Sequence, residues 1–469
     1  MLKRIRSRWN LRLLAGLAVC CLSACGGDQV AGIQGSGAPV AAGVTSVGTI
    51  SGFGSVILGG VEYDTSGAQI RIDDLSGAES QLRVGQVITL KGSINNDGTT
   101  GKATDIDFAS DVRGPIAQVD VDNLTAVVLG QTVRIDDSTV FDDGLQIESL
   151  QAGTFVQVSG YANAAGELLA SRVDPASPSA SLQVKGVVQS LDTVAHTFHI
   201  NSLTVDYSTA TPPATLANGI TVLVRGSGFA PSGALIAPIV QAIGPPSFAA
   251  NDKGQISGVV TTFTSASDFV VGTQRVVTDG STVIAPNGAT VALNARVDVQ
   301  GTFNASGALL ATKIQVKPQS LSVVGGLVDA VSAANNTVTV LGVTATVSSA
   351  TSFEDKSSQK IRLFKLADVR TGDYVEVRGT PDTNSGGLAA TLVERDKPNT
   401  SVYVQGQVLA LNAPNFTVLG ITVATDAQTK FSGPDGKQFF TAALNRTVIV
   451  RGTMTGDVLL ADKVQLRPH

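Results

Sequence analysis

Cysteine, tryptophan and histidine are scarce in this sequence of 469 residues. Its three cysteines all lie within the first 25 residues: Cys20, Cys21 and Cys25. The remainder has no thiol for a disulfide, a metal or a nucleophile. Two of the three histidines, His196 and His199, lie three apart on a predicted strand, where they face opposite sides. These absences argue against zinc and iron sites, and we expect no cofactor.

Positive charge and aromatic side chains are also in short supply. Without the basic residues of segment 1–24, the chain has 28 Lys and Arg against 38 Asp and Glu, a net charge of −10. Only 5% of the residues are aromatic. A nucleic-acid site needs a basic groove with stacking aromatics, so we expect no nucleic-acid partner. No G-x-S-x-G nucleophile elbow occurs, and we expect no catalytic residues and no enzymatic activity.

The first 24 residues have the pattern of an export signal. A basic start precedes an apolar run, Leu13 to Leu22, that is too short to span a bilayer. The following Leu22-Ser23-Ala24-Cys25 looks like the lipobox of bacterial lipoproteins, which implies cleavage before Cys25 and acylation of that cysteine. Two or more acyl chains hold a protein firmly to a membrane. Gly26 in place of an aspartate implies the outer membrane, on a side that the sequence leaves open.

A short strand ending in glycine recurs six times after this segment. One face of each copy is apolar and the other polar, as on a half-buried strand. We expect the glycine to end the strand in a turn. The copies lie 66 to 78 residues apart, at 88–92, 156–160, 222–226, 297–301, 375–379 and 448–452.

This spacing predicts an all-β protein built from six tandem modules. Five short strands in each suit a small OB-like barrel, although a small sandwich stays open. A lipidated cysteine and flexible tether at 25–43 would precede the modules. The module bounds are 44–109, 110–175, 181–245, 253–318, 321–395 and 401–468.

Glycines also indicate how each module is folded. Runs such as Val127-Val128-Leu129-Gly130 predict hairpins between the second and third strands. A Leu-x-x-Gly turn enters the fourth strand in four modules, and modules 4 and 6 lack its glycine, so we expect a different turn there. Proline-containing links predict semi-rigid joints between later modules, whereas modules 1 and 2, which have no such link, should form a close pair.

The first two modules resemble a known family. Its opening is similar to Gly52-Phe53-Gly54-Ser55-Val56 and residues 59–65, and its later part to residues 128–133 with Thr139-Val140-Phe141. The family is domain-of-unknown-function family 5666, found in tandem in bacterial exported lipoproteins. The resemblance covers about 45–175, is weaker beyond, and is least in module 3. It implies extracytoplasmic β modules and supplies no catalytic residues.

Two sets of residues are candidate binding sites. Aspartates two apart on a strand share a face and are candidate calcium ligands: Asp105 with Asp107, and Asp120 with Asp122. Solvated surface aspartates are the alternative interpretation. A longer segment in module 5, 353–368, interleaves cations with apolar residues and is a candidate partner surface, because insertions on a rigid scaffold often carry function. Its candidate contacts are Lys356, Lys360, Arg362, Phe364 and Lys365. Packing on its own barrel is the alternative.

The sequence therefore favours a non-catalytic lipoprotein of the cell envelope, lipid-anchored and structural or interacting in its role. The alternative function is binding of an extracellular polysaccharide or a protein partner, with calcium as an aid. A recurring exposed apolar or aromatic patch would favour binding over a spacer role.

We predict that Cys25→Ser releases the protein from the membrane fraction or leaves it unprocessed with its signal attached, because no acylated cysteine remains. Fractionation and detergent phase partitioning measure this. A variant that is processed and still partitions with the membrane would contradict the lipobox interpretation.

Overall fold

The computed structural model describes residues 43–467, apart from residues 54, 96, 122, 143–144, 245–249, 319–320, 383–385 and 433–435. The export signal, Cys25 and Asp122 lie outside the described residues. No helix within the described ranges has the length and hydropathy needed to cross a bilayer.

Module 1 begins with a long strand and ends with another. Its strands are β1 (Gly43–Phe53), β2 (Val56–Leu58), β3 (Val61–Asp64), β4 (Gln69–Ile72), β5 (Leu75–Ser76), β6 (Val87–Ile94) and β7 (Thr100–Phe108), with a 3-10 turn at Glu79–Gln81. Module 2 has β8 (Val112–Asp120), β9 (Thr125–Val128), β10 (Gln131–Arg134), β11 (Val140–Phe141), β12 (Phe155–Ala162) and β13 (Leu168–Pro175), with a 3-10 turn at Ile147–Ser149.

Module 3 is divided into more pieces than module 4. Its strands are β14 (Leu182–Val187), β15 (Gln189–Asp192), β16 (Thr197–Ile200), β17 (Leu203–Asp206), β18 (Thr221–Gly226), β19 (Gly228–Phe229), β20 (Leu235–Ile236) and β21 (Ile239–Ala242). Module 4 has β22 (Lys253–Ser265), β23 (Asp268–Val271), β24 (Gln274–Val277), β25 (Val283–Ala285), β26 (Arg296–Phe303) and β27 (Leu309–Val316).

Modules 5 and 6 follow the plan of module 4. Module 5 has β28 (Ser322–Ser332), β29 (Thr337–Val340), β30 (Val343–Thr346), β31 (Ser352–Asp355), β32 (Tyr374–Asp382) and β33 (Gly387–Arg395), with a 3-10 turn at Leu366–Asp368. Module 6 has β34 (Val402–Asn412), β35 (Asn415–Val418), β36 (Ile421–Ala424), β37 (Lys430–Ser432), helix α1 (Gly436–Ala442), β38 (Thr447–Thr455) and β39 (Val458–Leu466).

The main strands of each module close into a barrel. In module 5, β28 pairs with β29, β29 with β30, β30 in parallel with β33, β33 with β32, and β32 with β28. Modules 1, 2, 4 and 6 have the same closed order, and module 3 has it with breaks that divide the barrel between two sheets. This order confirms the predicted five-stranded, OB-like barrel.

The predicted hairpins are confirmed, and their turns need backbone that glycine favours. Leu129 and Gly130 both have positive φ, 46° and 70°, and join β9 to β10 in a two-residue turn. Leu341-Gly342 and Leu419-Gly420 repeat this geometry in modules 5 and 6. Positive φ at both residues matches the right-handed twist of the flanking strands.

The different turn expected in modules 4 and 6 is wrong. Gly372 has φ +87° and donates its N–H to Val328 O at 2.9 Å, while Asn445 has φ +62° and donates to Val408 O at 2.9 Å. Asn294 does the same in module 4. Asparagine tolerates the left-handed conformation better than other side chains, so it replaces the glycine within an unchanged turn.

The expectation that the recurrent glycine ends a strand is also wrong for five modules. Gly379, for example, lies inside β32 at a β-bulge against β33. A Cβ there would come within 2.3 Å of Ala389 O, so only glycine lets the two backbones approach. Equivalent bulges occur at Gly92, Gly160, Gly301 and Gly452, and only in module 3 does the strand end at the glycine, Gly226.

The modules share sheets in pairs. The late part of each first strand pairs with the second strand of its own barrel, which leaves one edge of its early part unpaired inside the module. In module 1 that edge, Val44–Val47, pairs in parallel with residues 253–256 of module 4. Val112 of module 2 lies opposite Val184 of module 3, and Val324 of module 5 opposite Val404 of module 6, both in antiparallel register.

This pairing corrects the expected joints. The links after modules 2 and 5 connect barrels that share both a sheet and a hydrophobic core, so they are not semi-rigid spacers. Modules 1 and 2 contact each other, but each continues its sheet into a different neighbour, and modules 1 and 4 keep separate cores.

We predict that Gly379→Ala lowers the free energy of unfolding by about 2–3 kcal/mol, because the new methyl group forces β32 away from β33. Chemical denaturation of the purified protein, followed by circular dichroism, measures this. Gly67→Ala is the control, since no atom lies within 4 Å of the new Cβ. Equal midpoints for the two variants would contradict the role of the bulge.

Candidate functional site

Module 2 forms hydrogen bonds with each of the other five modules, and its Asp136–Thr139 turn makes several of them. Asp136 accepts a hydrogen bond from Arg296 of module 4 at 2.9 Å. Asp137 accepts from Arg467 of module 6 at 2.5 Å and from the backbone N–H of Leu321 at 3.1 Å. Three modules therefore meet at one short turn.

Arg172 is the largest fully buried side chain of the described residues. Its guanidinium donates to Asp174 at 2.6 Å, to Glu354 of module 5 at 2.9 Å and to the backbone oxygen of Val84 of module 1 at 2.9 Å. Burial alone would lower the pKa of Arg172, but the carboxylates of Glu354 and Asp174 outweigh it and raise the pKa. The arginine stays charged and joins three modules.

A second buried cluster lies beside the first, in module 5. Arg378 donates to Glu394 and to Glu376, each at 2.8 Å, and to the backbone oxygen of Thr139 in module 2 at 2.6 Å. Lys356 forms an ion pair with Glu394, whose side chain is 2% exposed. Burial opposes ionisation of Glu394, but Arg378 and Lys356 outweigh it and lower the pKa. These charges are paired within the protein.

Asp396 follows this cluster in sequence, and nearby cations offset the effect of burial on its carboxyl less strongly. Burial raises the pKa of Asp396 to about 6, although Lys356 opposes the shift. A raised carboxyl pKa often marks a functional site, but structural ion-pair networks produce it too. Here the neighbouring charges belong to the cluster that links modules 2 and 5.

The module 5 insertion contacts module 1. Arg362 stacks over the ring of Phe53, 3.8 Å from its centroid, and donates to the backbone oxygen of Leu82 at 3.0 Å and to Glu79 at 3.0 Å. Phe364 is buried, with Arg395 over its ring at 4.7 Å. Arg362 and Phe364 therefore have contacts within the chain, as does Lys356, and Lys360 and Lys365 are exposed. Contact of this segment with a partner stays a prediction.

The calcium candidates are engaged locally. Asp107 binds Arg71 through both carboxylate oxygens, at 2.5 and 2.9 Å. Asp105 accepts a hydrogen bond from Thr104, and Asp120 accepts two from Asn123. Within the described ranges, no group of three or more His, Cys, Asp or Glu is arranged to hold a metal ion. Calcium binding remains untested.

A cleft of about 1160 Å³ lies between modules 5 and 6. The hairpin turns Leu341-Gly342 and Leu419-Gly420 line it, together with Leu327 and Met454. Leu327 is 49% exposed. Among the described residues, its lining includes Asp329 and Asp457 and no lysine, arginine or histidine. The cleft combines aliphatic walls with carboxylates and offers no cation to an anionic ligand.

The corresponding turns of modules 2 and 3 touch. Gln131 donates to the backbone oxygen of Ile200 at 3.0 Å and accepts from Asn201 at 2.7 Å, and Ser202 donates to the backbone oxygen of Gly130 at 2.8 Å. In modules 5 and 6 the positions of Gln131 are taken by valine and isoleucine, Val343 and Ile421. These side chains have no hydrogen-bonding group, and the space between the turns is open.

The arginines that join modules were not predicted from the sequence. Arginine directly precedes the recurrent glycine in modules 3, 5 and 6, and each of these arginines contacts another module: Arg225 binds Asp74, Arg378 binds module 2 and Arg451 binds Glu148. The repetition of arginine at this one strand position could have indicated these contacts from the sequence.

A repeated threonine identifies the modules that follow one plan most closely. Thr139 donates its hydroxyl to the backbone oxygen of Ala170 at 2.8 Å, and accepts from the backbone N–H of Asp136. The donated bond recurs at Thr282, Thr351 and Thr429, each at 2.7 Å. It fixes the segment after the third strand against the last strand in modules 2, 4, 5 and 6.

The fold defines a protein of tandem OB-type barrels. Its residues 113–174, 257–315, 325–394 and 405–465, just over half of the chain, match the family described as Domain of unknown function (DUF5666). The chain belongs to this family. The matched regions lie in modules 2, 4, 5 and 6, so the resemblance is confirmed for module 2, whereas the expectation that it is weaker beyond residue 175 than in module 1 is wrong. The divergence of module 3 is consistent with its absence from the matched regions.

No curated protein matches the sequence. Among solved structures, one named "drosophila Unr CSD456" is similar at 12% identity over 45% of this chain and 95% of that chain, with a TM-score of 0.12. A TM-score this low supports no conclusion about the fold or function of this protein.

We predict that Arg172→Leu lowers the free energy of unfolding by about 3–5 kcal/mol, because it leaves the carboxylates of Glu354 and Asp174, 13% and 15% exposed, without their cation. Urea denaturation of the purified protein measures this. Arg275→Leu is the control, since Arg275 pairs with Asp268 at the exposed surface and its loss should leave the midpoint unchanged. An Arg172→Leu midpoint equal to that of the control would show that the buried contact is dispensable.

Proposed function

We propose that this protein is a non-catalytic, lipid-anchored component of the cell envelope, and that its packed β modules form a platform for a protein partner. Cys25 would carry the anchor, and residues 25–43 would connect it to module 1. The outer membrane is the proposed location, following the lipobox and Gly26.

The proposal rests on ion pairs inside the protein that join different modules. Arg172 and Glu394 are buried, the side chain of Arg378 is 11% exposed, and their contacts join modules 1, 2 and 5. Ion pairs of this kind have well-defined geometry but often add little net stability, so their best-supported use is to specify one arrangement. A fixed arrangement of barrels suits a platform that presents a surface, and it provides no advantage to a flexible spacer.

Binding of an envelope polysaccharide is the second candidate function. The open cleft between modules 5 and 6 favours some form of binding, since a well-formed concave site is the usual place for a ligand. Its described lining residues include a single aromatic side chain, Tyr374, and this composition favours a protein over a sugar chain.

Cross-linking in intact cells tests the proposal. With an affinity tag on the full-length chain, we expect one discrete adduct that contains a second protein. Cys25→Ser serves as the matched control, and we expect the adduct to weaken when the anchor is lost. An adduct that stains for carbohydrate and resists protease would favour the second candidate. Absence of any adduct above the untagged background would contradict both.

A further inference from the structure

Modules 2 and 3 and modules 5 and 6 are built on one plan. In both pairs the first strands run antiparallel, with the residues two positions before their opening glycines facing each other: Val112 and Val184, and Val324 and Val404. The hairpin turns of the two barrels are consequently brought together on the same side of each pair. In modules 2 and 3 they bond directly, and in modules 5 and 6 they border the cleft.

The difference follows from a few residues. Gln131 of module 2 and Asn201 of module 3 bridge the turns of that pair, whereas Val343 of module 5 and Leu419 of module 6 occupy the corresponding positions. Aliphatic side chains along an open cleft cost free energy when they face water, and burying them against a ligand recovers it. Val343 and Ile421 belong to the core, but Leu327 is 49% exposed and Leu341, Leu419 and Met454 are half-buried. The cleft therefore contains apolar surface that its own barrels leave partly uncovered.

The chemistry of the walls restricts the ligand. Asp329 and Asp457 are exposed in the cleft, and the part of the lining that the structure describes contains no cationic side chain to neutralise them. Asp329 accepts one hydrogen bond, from the backbone N–H of Gly342 at 2.8 Å. A cationic ligand is attracted by this potential and an anionic one is repelled.

The size and composition of the cleft point to a peptide. Its volume of about 1160 Å³ exceeds that of most small-molecule sites. Thr339, Thr344 and Thr453 supply hydroxyl groups, and Gly342 and Gly420 leave the backbone accessible at the turns. Sugar chains bind best on aromatic faces, and the cleft has one half-buried tyrosine.

We propose that the cleft between modules 5 and 6 binds a peptide segment of a partner protein, one that combines aliphatic side chains with lysine or arginine. The aliphatic side chains pack against Leu341, Leu419 and Met454, and the cation pairs with Asp457 or Asp329. This inference rests on the proposed function, because it names the class of partner that the platform binds.

Fluorescence polarisation with a defined probe tests the site. The full-length acylated protein in lipid nanodiscs is titrated against a labelled peptide in which valine alternates with lysine, and against the same peptide with glutamate in place of lysine. We expect binding of the lysine peptide only. Maltoheptaose serves as a neutral oligosaccharide competitor and should not displace it.

Two pairs of variants locate the binding. Thr344→Trp fills the cleft and Asp457→Lys reverses its charge, and each should weaken binding about tenfold or more. Thr346→Trp, on the same strand outside the cleft, and Asp462→Lys, on the same module, should stay within about twofold of the unaltered protein. An unfolding midpoint like that of the unaltered protein shows that each variant is folded.

Several outcomes overturn the inference: equal binding of the glutamate peptide, displacement by maltoheptaose, absence of lysine-peptide binding, or cleft variants that bind as tightly as their controls. Cross-linking in cells separates this failure from failure of the proposed function. An adduct retained by Thr344→Trp means that the partner binds elsewhere and that the platform role stands. No adduct in the unaltered protein removes the platform role itself.

Discussion

The arrangement of the modules depends on one unpaired strand edge. A five-stranded barrel of this kind uses the late part of its first strand for the hairpin and leaves the early part with one row of free backbone N–H and C=O groups. Such an edge invites pairing with any other chain. Here the edges cover one another in three pairs, modules 1 with 4, 2 with 3 and 5 with 6. The β-structure that closes each barrel thus also determines its neighbour.

Two arginines whose side chains are at most 11% exposed then fix the pairs against one another. Arg172 and Arg378 donate to backbone oxygens as well as to carboxylates, so they recognise the shape of a turn in addition to its charge. Because each lost partner would leave a buried charge, alternative packings are disfavoured even where the correct one gains little net free energy. Charged side chains at these contacts therefore specify how the modules pack.

Local sequence predicted the barrels well, because their determinants lie within a few residues. The alternating strands and the Leu-Gly hairpins depend on side-chain period and on φ, both of which can be inferred from a short stretch. The turn at Asn445 was predicted wrongly, because asparagine in place of glycine suggested a different turn. The two turns have the same backbone hydrogen bond. The contacts between modules could not be predicted: Arg467 binds Asp137 from 330 positions away, and nothing near either residue indicates the other. The cleft was missed for the same reason.

The pairing of modules 1 and 4 encloses modules 2 and 3 within one long chain loop. Val47 can pair with Ile256 only after modules 2 and 3 have been synthesised. During synthesis from the N-terminus, the strand edge of module 1 therefore stays unpaired while modules 2 and 3 pair with each other. Closing so long a loop costs conformational entropy, and that cost falls when the enclosed segment is already folded and compact. Order of emergence thus favours an inside-out assembly, in which the central pair is formed before the modules on either side of it can join.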